Sequence, residues 1–176
     1  MSTKYKFHER EGLYFVTFAT VGWAEALSRP KEKDIVVESI RFCQQEKGLR
    51  LHAWVIMSNH VHLVCRASGT PSMSDILRDL KKFTARKIIA SLDAVGESRR
   101  EWLLPLFRAA GANNSNNSTF QLWQQENHPV LLSGQDMMEQ KINYIHENPV
   151  RAGLVVWPEH YPYSSALSPG LLELET

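Results

Sequence analysis

The chain has 176 residues, 43% of them hydrophobic and 22% charged, and 20 Lys and Arg against 19 Asp and Glu leave a formal net charge of +1. That length suits one domain with a core large enough to fold without disulfides. The charge balance excludes a globally basic nucleic-acid coat and an acidic tail protein, but not a local basic patch.

The first ten residues hold no apolar stretch of the signal-peptide kind, and no uncharged apolar run approaches the ~20 residues of a membrane span. Cys43 and Cys65 lack CxxC or framework spacing and read as buried, reduced thiols, so a cytoplasmic protein with no membrane partner is expected. Residues 13–21 (LYFVTFATV), aromatic and β-branched between Gly12 and Gly22, predict a strand. After Pro30, the helical spacing of Ile35, Val36, Ser39, Ile40 and Cys43 predicts a helix over 31–47, stopped by Gly48. Two apolar runs, 50–57 and 60–66, flank Ser58-Asn59 and predict an antiparallel hairpin, although Ser-Asn is a weaker turn signal than Asn-Gly.

Pro71 opens a second helical pattern through Met73, Ile76, Leu77, Leu80 and Phe83 to Ile88 and Ile89. From Gly96 to Thr119 the pattern dissolves, and the polar stretch 111–118 predicts a mobile loop. Residues 120–132 (FQLWQQENHPVLL) predict extended chain around a turn at 126–129. Residues 136–147 predict a helix ended by Pro149. The tail beyond it carries Trp157, Tyr161 and Tyr163, expected to pack back on the body. The order strand, helix, strand, strand, helix, strand, helix is that of an α+β, ferredoxin-like split β-α-β fold: a central antiparallel sheet, helices packed on one face, and a C-terminal helix. The division expected is a main domain over 1–150 with a tail, 151–176, packed on it.

The sharpest local feature is Asn59-His60-Val61-His62-Leu63-Val64. Alternate strand side chains share a face, so His60 and His62 point one way, about 7 Å apart along the strand, while Val61, Leu63 and Cys65 enter the other layer. Two such imidazoles can chelate one divalent metal, but two ligands alone do not make a site, and from the strand alone two partly exposed histidines on an open sheet face are the plainer reading. In the last helix, Met138, Ile142 and Ile145 share the face that must pack on the sheet. Tyr144 and Asn148, four residues apart, lie together on its flank with Lys141 beside them, whereas His146 falls about 200° away from Tyr144.

Taken in order, the segments FVTFATVGW, HAWVIMSNHVHLV, DILRDLKKFTARKI, LWQQENHPVLL, YIHENPVRAGLV and WPEHYPYSSA resemble the HUH single-tyrosine transposases, most closely the REP-associated tyrosine transposases among the IS200-like superfamily. The resemblance implies a ferredoxin-like nuclease that cuts single-stranded DNA beside a hairpin. It implies His60 and His62 as metal ligands and Tyr144 as the nucleophile that forms a 5′-phosphotyrosine and frees a 3′-OH. Many relatives have glutamine as third ligand one turn beyond the tyrosine, where this chain has Asn148; its amide oxygen is a chemically adequate ligand for Mg²⁺ or Mn²⁺ with a shorter reach. A phenol with a pKa near ~10 is a poor nucleophile at neutral pH, and a divalent cation on the scissile phosphate offsets the charge that develops there. Because the bond energy stays in the phosphotyrosine, strand transfer needs no ATP, in keeping with the missing P-loop signature.

The second helix carries Arg78, Lys82 and Arg86 in one stripe with Lys81 and Lys87 nearby, a pattern that suits phosphate contacts as well as it suits a solvated face. Trp123 could stack an unpaired base or belong to the core, and Lys141 could contact phosphate. The partners expected are therefore single-stranded or hairpin DNA. Among relatives there are dimers whose tyrosine helix serves the other protomer and monomers that complete the site alone, so a homodimer stays open. The alternative reading is a non-catalytic, domesticated DNA- or RNA-binding module of the same fold. RNA-binding domains, however, carry aromatic side chains on the central strands, where this chain has His60 and His62. A small-molecule metallohydrolase lacks a carboxylate ligand cluster. Residues 78–87 hold five Lys or Arg against Asp79 alone, so global neutrality hides a local patch and predicts recognition concentrated on one face.

Overall fold

The computed structural model describes residues 6–115, 119–168 and 170–176. Among the described residues four strands and four α-helices follow in order: β1 (Tyr14–Ala19), α1 (Pro30–Lys47), β2 (Leu49–Ile56), β3 (His60–Ala67), α2 (Met73–Leu92), α3 (Arg100–Ala112), β4 (Val130–Leu131) and α4 (Gln135–Arg151). The strands form one antiparallel sheet in the order β2-β3-β1-β4. This is the split β-α-β arrangement expected from the element order, in an α+β fold.

Strand alternation divides the hydrophobic residues between the two faces of this sheet. On one face Val16, Phe18, Val61, Leu63 and Cys65 meet Ile40 of α1, Ile76 and Leu80 of α2, and Leu103 and Phe107 of α3. On the other, Phe15, Val55 and Val64 meet Ile145 of α4, with Met138, Ile142 and Tyr144 packed beside it. The expectation of helices on one face therefore holds for α1, α2 and α3, while α4 covers the opposite face. A register shift between Leu51 and Ala53 turns β2 over, so Leu49 and Leu51 join the first core and so do Trp54 and Ile56 beyond the bulge.

The β2–β3 hairpin closes over Ser58-Asn59, with the Met57 N–H donating to the His60 carbonyl at 2.9 Å. Neither turn residue has positive φ. The tail protects the outer edge of β2. Ile56 N–H donates to the Tyr163 carbonyl and Ser165 N–H to the Trp54 carbonyl, both at 2.9 Å, and the Tyr161 hydroxyl donates to the Ile56 carbonyl at 2.9 Å. Trp157, expected to pack inward, is 59% exposed.

Three boundaries differ from expectation. The stretch after Gly96 contains α3, whose interior Pro105 and closing Gly111 mask an apolar stripe of Leu103, Leu104 and Phe107. The loop expected over 111–118 begins later, since Gly111 and Ala112 still belong to α3; 116–118 lie outside the described residues. α4 runs through Pro149 to Arg151. Proline there removes one i→i−4 hydrogen bond, and its ring is buried, which offsets part of that loss. Cys43 and Cys65 are buried free thiols, as expected, and burial pushes them up to about 11 and about 12. Among the described residues no helix is long and apolar enough to cross a membrane.

Gly111 permits the close approach that fixes the chain after α3. A Cβ at this position would stand 2.8–2.9 Å from Phe120 backbone atoms, where the Gln121 N–H donates to the Phe107 carbonyl at 2.9 Å. Gly111→Ala is expected to lower stability by about 1–3 kcal/mol through overpacking, measured by denaturant unfolding; an unchanged midpoint would contradict this packing.

Candidate active site

β3 presents His60 and His62 on the face covered by α4, with ring centroids 4.6 Å apart. Ile145 packs α4 onto that face, and the same helix then delivers Tyr144 to the pair: its ring centroid is 5.4 Å from that of His62 and 5.9 Å from that of Phe15. Asn148, one turn on, stands near enough to His60 to favour its charged form. The histidine pair and the Tyr144–Asn148 pair, each read from local spacing and joined only by the resemblance, thus come together within a single chain. His146 lies on the other flank, as the helical arithmetic requires, and shares a hydrogen bond of 2.9 Å with Ser165 Oγ.

Both imidazoles are held at Nδ1. Thr17, the antiparallel neighbour of His62 on β1, places Oγ1 2.8 Å from His62 Nδ1. Asn59 donates from Nδ2 to the Trp23 carbonyl at 3.2 Å, so its Oδ1, 2.7 Å from His60 Nδ1, accepts from that ring. Neutral His60 therefore carries its proton on Nδ1 and keeps a lone pair on Nε2, the tautomer a metal ligand needs. Burial drives both histidines toward the neutral form. It lowers His60 against an opposing interaction with Asn148 that favours the charged ring, and it lowers His62 to about 3 with help from the charges of His60 and Lys141. Protons consequently do not compete for these nitrogens at neutral pH.

Among the described residues no three His, Cys, Asp or Glu side chains cluster as a metal site. The groups at this place that could hold a cation are instead the two imidazoles and the Asn148 side-chain amide. Mixed N and O donors of this kind fit a divalent cation such as Mn²⁺ or Mg²⁺, and the small number of protein ligands leaves positions for substrate.

Cationic groups flank the phenol. Lys141 Nζ lies 4.7 Å from the Phe15 ring centroid and 5.8 Å from that of Tyr144, and the Arg151 guanidinium lies 5.3 Å from the Tyr144 ring. Sequence reading singled out Lys141 and missed Arg151, Thr17 and Asn59. Thr17 shares the His face by strand parity, a signal that becomes usable only once the β1–β3 register is known. Asn59 directly precedes His60 at the hairpin turn.

The basic stripe stands elsewhere. Arg78, Lys82, Arg86 and Lys87 are exposed on α2, across the sheet from α4. Arg78 also pairs with Asp75 at 2.8 Å and Asp79 at 3.0 Å, exposed contacts worth little in water. A groove of about 990 Å³ runs between this helix and residues 119–127, lined by Arg78, Lys82, Arg86, Phe120 and Gln124 among others.

Two residues expected on a DNA surface are engaged inside the protein. Trp123 is 4% exposed, packs edge-on against Phe18 at 4.9 Å and donates from its indole N–H to Thr84 Oγ1 at 2.9 Å, so it is a core residue. Lys81 donates to the Gln124 carbonyl at 2.7 Å, the Gln125 carbonyl at 3.3 Å and Asn127 Oδ1 at 2.8 Å, which pins the 124–127 segment to α2.

Comparison with known proteins concerns the fold and the segment that carries the histidine pair. Residues 22–103 match the protein-family model described as "Transposase IS200 like", a span that holds His60 and His62 but ends before Tyr144. A REP-associated tyrosine transposase, whose structure is bound to a REP hairpin, superposes with a TM-score of 0.68 at 16% identity, over 94% of this chain and 82% of that one. At that identity the likeness concerns the fold. A crystal structure of a candidate transposase from Deinococcus radiodurans R1 aligns with a TM-score of 0.46 at 18% identity, over 84% of this chain and 97% of the other. No curated protein matches the chain.

Burial lowers the Lys81 ammonium to about 8. The unfolded chain therefore holds this proton up to about pH 10.5 while the folded chain releases it from about pH 8. The group's contribution to stability rises with pH across that window. Lys81→Met, which leaves three oxygens without a donor, is expected to lose about 1–3 kcal/mol at neutral pH, and the deficit should widen from pH 8 to 10 in urea titrations. A pH-independent difference would contradict the burial of a charged amine here.

Proposed function

We propose that this chain is a metal-dependent single-strand DNA endonuclease and strand transferase of the IS200-like transposase type, acting beside hairpins through a 5′-phosphotyrosine intermediate. One observation carries the reading: a strand-borne histidine pair, both rings neutral and anchored at Nδ1, faces a helix-borne tyrosine 5.4 Å away in the same chain. The resemblance to REP-associated tyrosine transposases in sequence motifs and fold supports it.

His60, His62 and Asn148 would hold a Mg²⁺ or Mn²⁺ ion. Bound there, the cation would polarise the scissile phosphate and offset the charge of the transition state. Tyr144 Oη attacks phosphorus, the P–O3′ bond breaks, and the departing oxygen takes up a proton as a free 3′-OH. The phenolic proton passes to solvent. Lys141 and Arg151, beside the phenol ring, supply positive charge for the phosphate that becomes attached to it. Attack by a second 3′-OH on the phosphotyrosine reverses these bond changes and joins the new strand, with Tyr144 as leaving group.

Arg78, Lys82, Arg86 and Lys87 hold the backbone of the DNA along α2, while Lys81 shapes the groove from within by fixing 124–127. In this account residues 1–150 form the nuclease domain, residues 151–176 are its tail, and the chain acts on DNA in the cytoplasm.

Incubation with a pool of single-stranded hairpin oligonucleotides and Mn²⁺ is expected to give a covalent protein–DNA adduct on denaturing gels, absent with EDTA, with Tyr144→Phe or with His62→Ala. An adduct that survives Tyr144→Phe would overturn the nucleophile assignment. Hairpin binding without any adduct would favour the non-catalytic binding module instead.

A further inference from the structure

The turn after β1 contains the only non-glycine residue besides His128 with positive φ among the described residues, and that residue is a tryptophan. Gly22 and Trp23 take φ values of 64° and 54° in succession. A bulky side chain in the left-handed region is a steric outlier, and such strain persists where surrounding contacts over-determine it. The contacts are present here. Trp23 N–H donates to the Thr20 carbonyl at 3.0 Å, and the Trp23 carbonyl accepts from Asn59 Nδ2 at 3.2 Å. The strained backbone does not serve to bury the indole, because Trp23 is 54% exposed. The ring is instead held in water with its centroid 5.6 Å from that of His60, at an angle of 65°.

Its position along the surface matters as much as its exposure. Val21 N–H donates to the Leu122 carbonyl at 2.8 Å, and Gln124 Nε2 donates to the Thr20 carbonyl at 3.0 Å. Leu122 and Gln124 line the basic groove beside α2. The turn 20–23 therefore touches the wall of that groove at one end and His60 at the other. It offers a route between two sites that lie on opposite faces of the sheet. Trp102 and Trp157 are similarly exposed, but neither has a ring contact with the histidine pair.

We propose that Trp23 is a stacking platform for an unpaired base, holding single-stranded DNA as it passes from the α2 groove to the His60–His62 pair. The proposal rests on the functional reading above and adds to it a base-contacting residue and the path of the strand. An exposed indole suits this role because every base has a π-face. Stacking on it selects unpaired over paired nucleotides without demanding a sequence. The hydrogen bond from Asn59 goes to the Trp23 main chain, so the link to the His60 tautomer survives replacement of the side chain.

The test measures the affinity of dye-labelled oligo(dT) and of a blunt duplex by fluorescence anisotropy, alongside melting temperatures. Trp23→Ala is expected to weaken oligo(dT) binding about tenfold, to leave duplex binding unchanged and to leave the melting temperature within error. Trp23→Phe should restore most of the affinity, and Trp23→Leu, apolar but not aromatic, should not. Equal oligo(dT) affinity in wild type and Trp23→Ala overturns the proposal, as does full rescue by leucine. Should the alanine variant fold poorly, the Phe–Leu comparison decides alone. A wild-type chain that binds no oligo(dT) overturns the functional reading itself, whereas an adduct-forming wild type with an indifferent Trp23 overturns only the platform.

Discussion

The structure depends on one constraint: the β-sheet is apolar on both faces, and both must be covered. On β3 the period of two sends Val61, Leu63 and Cys65 into the core built with α1, α2 and α3, and leaves Val64 on the other side with the two histidines. The second face needs its own helix. α4 supplies it by burying Ile145 against Phe15, Val55 and Val64. The packing that removes this apolar surface from water also sets Tyr144 against His62, because both sit on the elements that close the same layer. The geometry of the candidate site is thus a by-product of covering the sheet, and little of it rests on flexible loops.

The same packing explains the electrostatics. A half-open sheet face would leave two ordinary histidines in water. Under α4 they lose hydration, and His62 falls to about 3, a neutral imidazole across the physiological range. Hydrogen bonds with the neighbouring strand and with the hairpin turn then hold each ring by its Nδ1. Positive charge stands at the other end of the arrangement: Lys141 lies near the rings of Phe15 and Tyr144, and Arg151 near that of Tyr144, in cation–π contact. The net charge of +1 conceals this division of labour.

Much of this was legible before the fold was known, and what was not has physical causes. Strand parity placed the histidines on one face and helical arithmetic put Tyr144 with Asn148 and apart from His146, because both inferences need only local periodicity. Pro149 was read as the end of a helix, yet it lies inside α4, where its buried ring offsets part of a missing hydrogen bond. Lys81 looked like a surface residue and Trp123 stayed open between base stacking and the core, because periodicity cannot show that residues 121–127 fold over α2; that depends on Gly111 and on a long-range contact between segments. Thr17 and the strained Trp23 belong to the same class, since each acquires its meaning from a partner distant in sequence.

The central claim is that one chain completes the site, with Tyr144 serving the histidines of its own sheet. Mixing His62→Ala chains with Tyr144→Phe chains tests it directly, with adduct formation on a hairpin oligonucleotide as the readout and wild-type chains alongside. The account predicts an adduct from wild type and none from the mixture, since neither variant carries both halves of a site. An adduct restored by mixing would show that the tyrosine helix serves a second protomer and would contradict the packing of α4 on its own sheet.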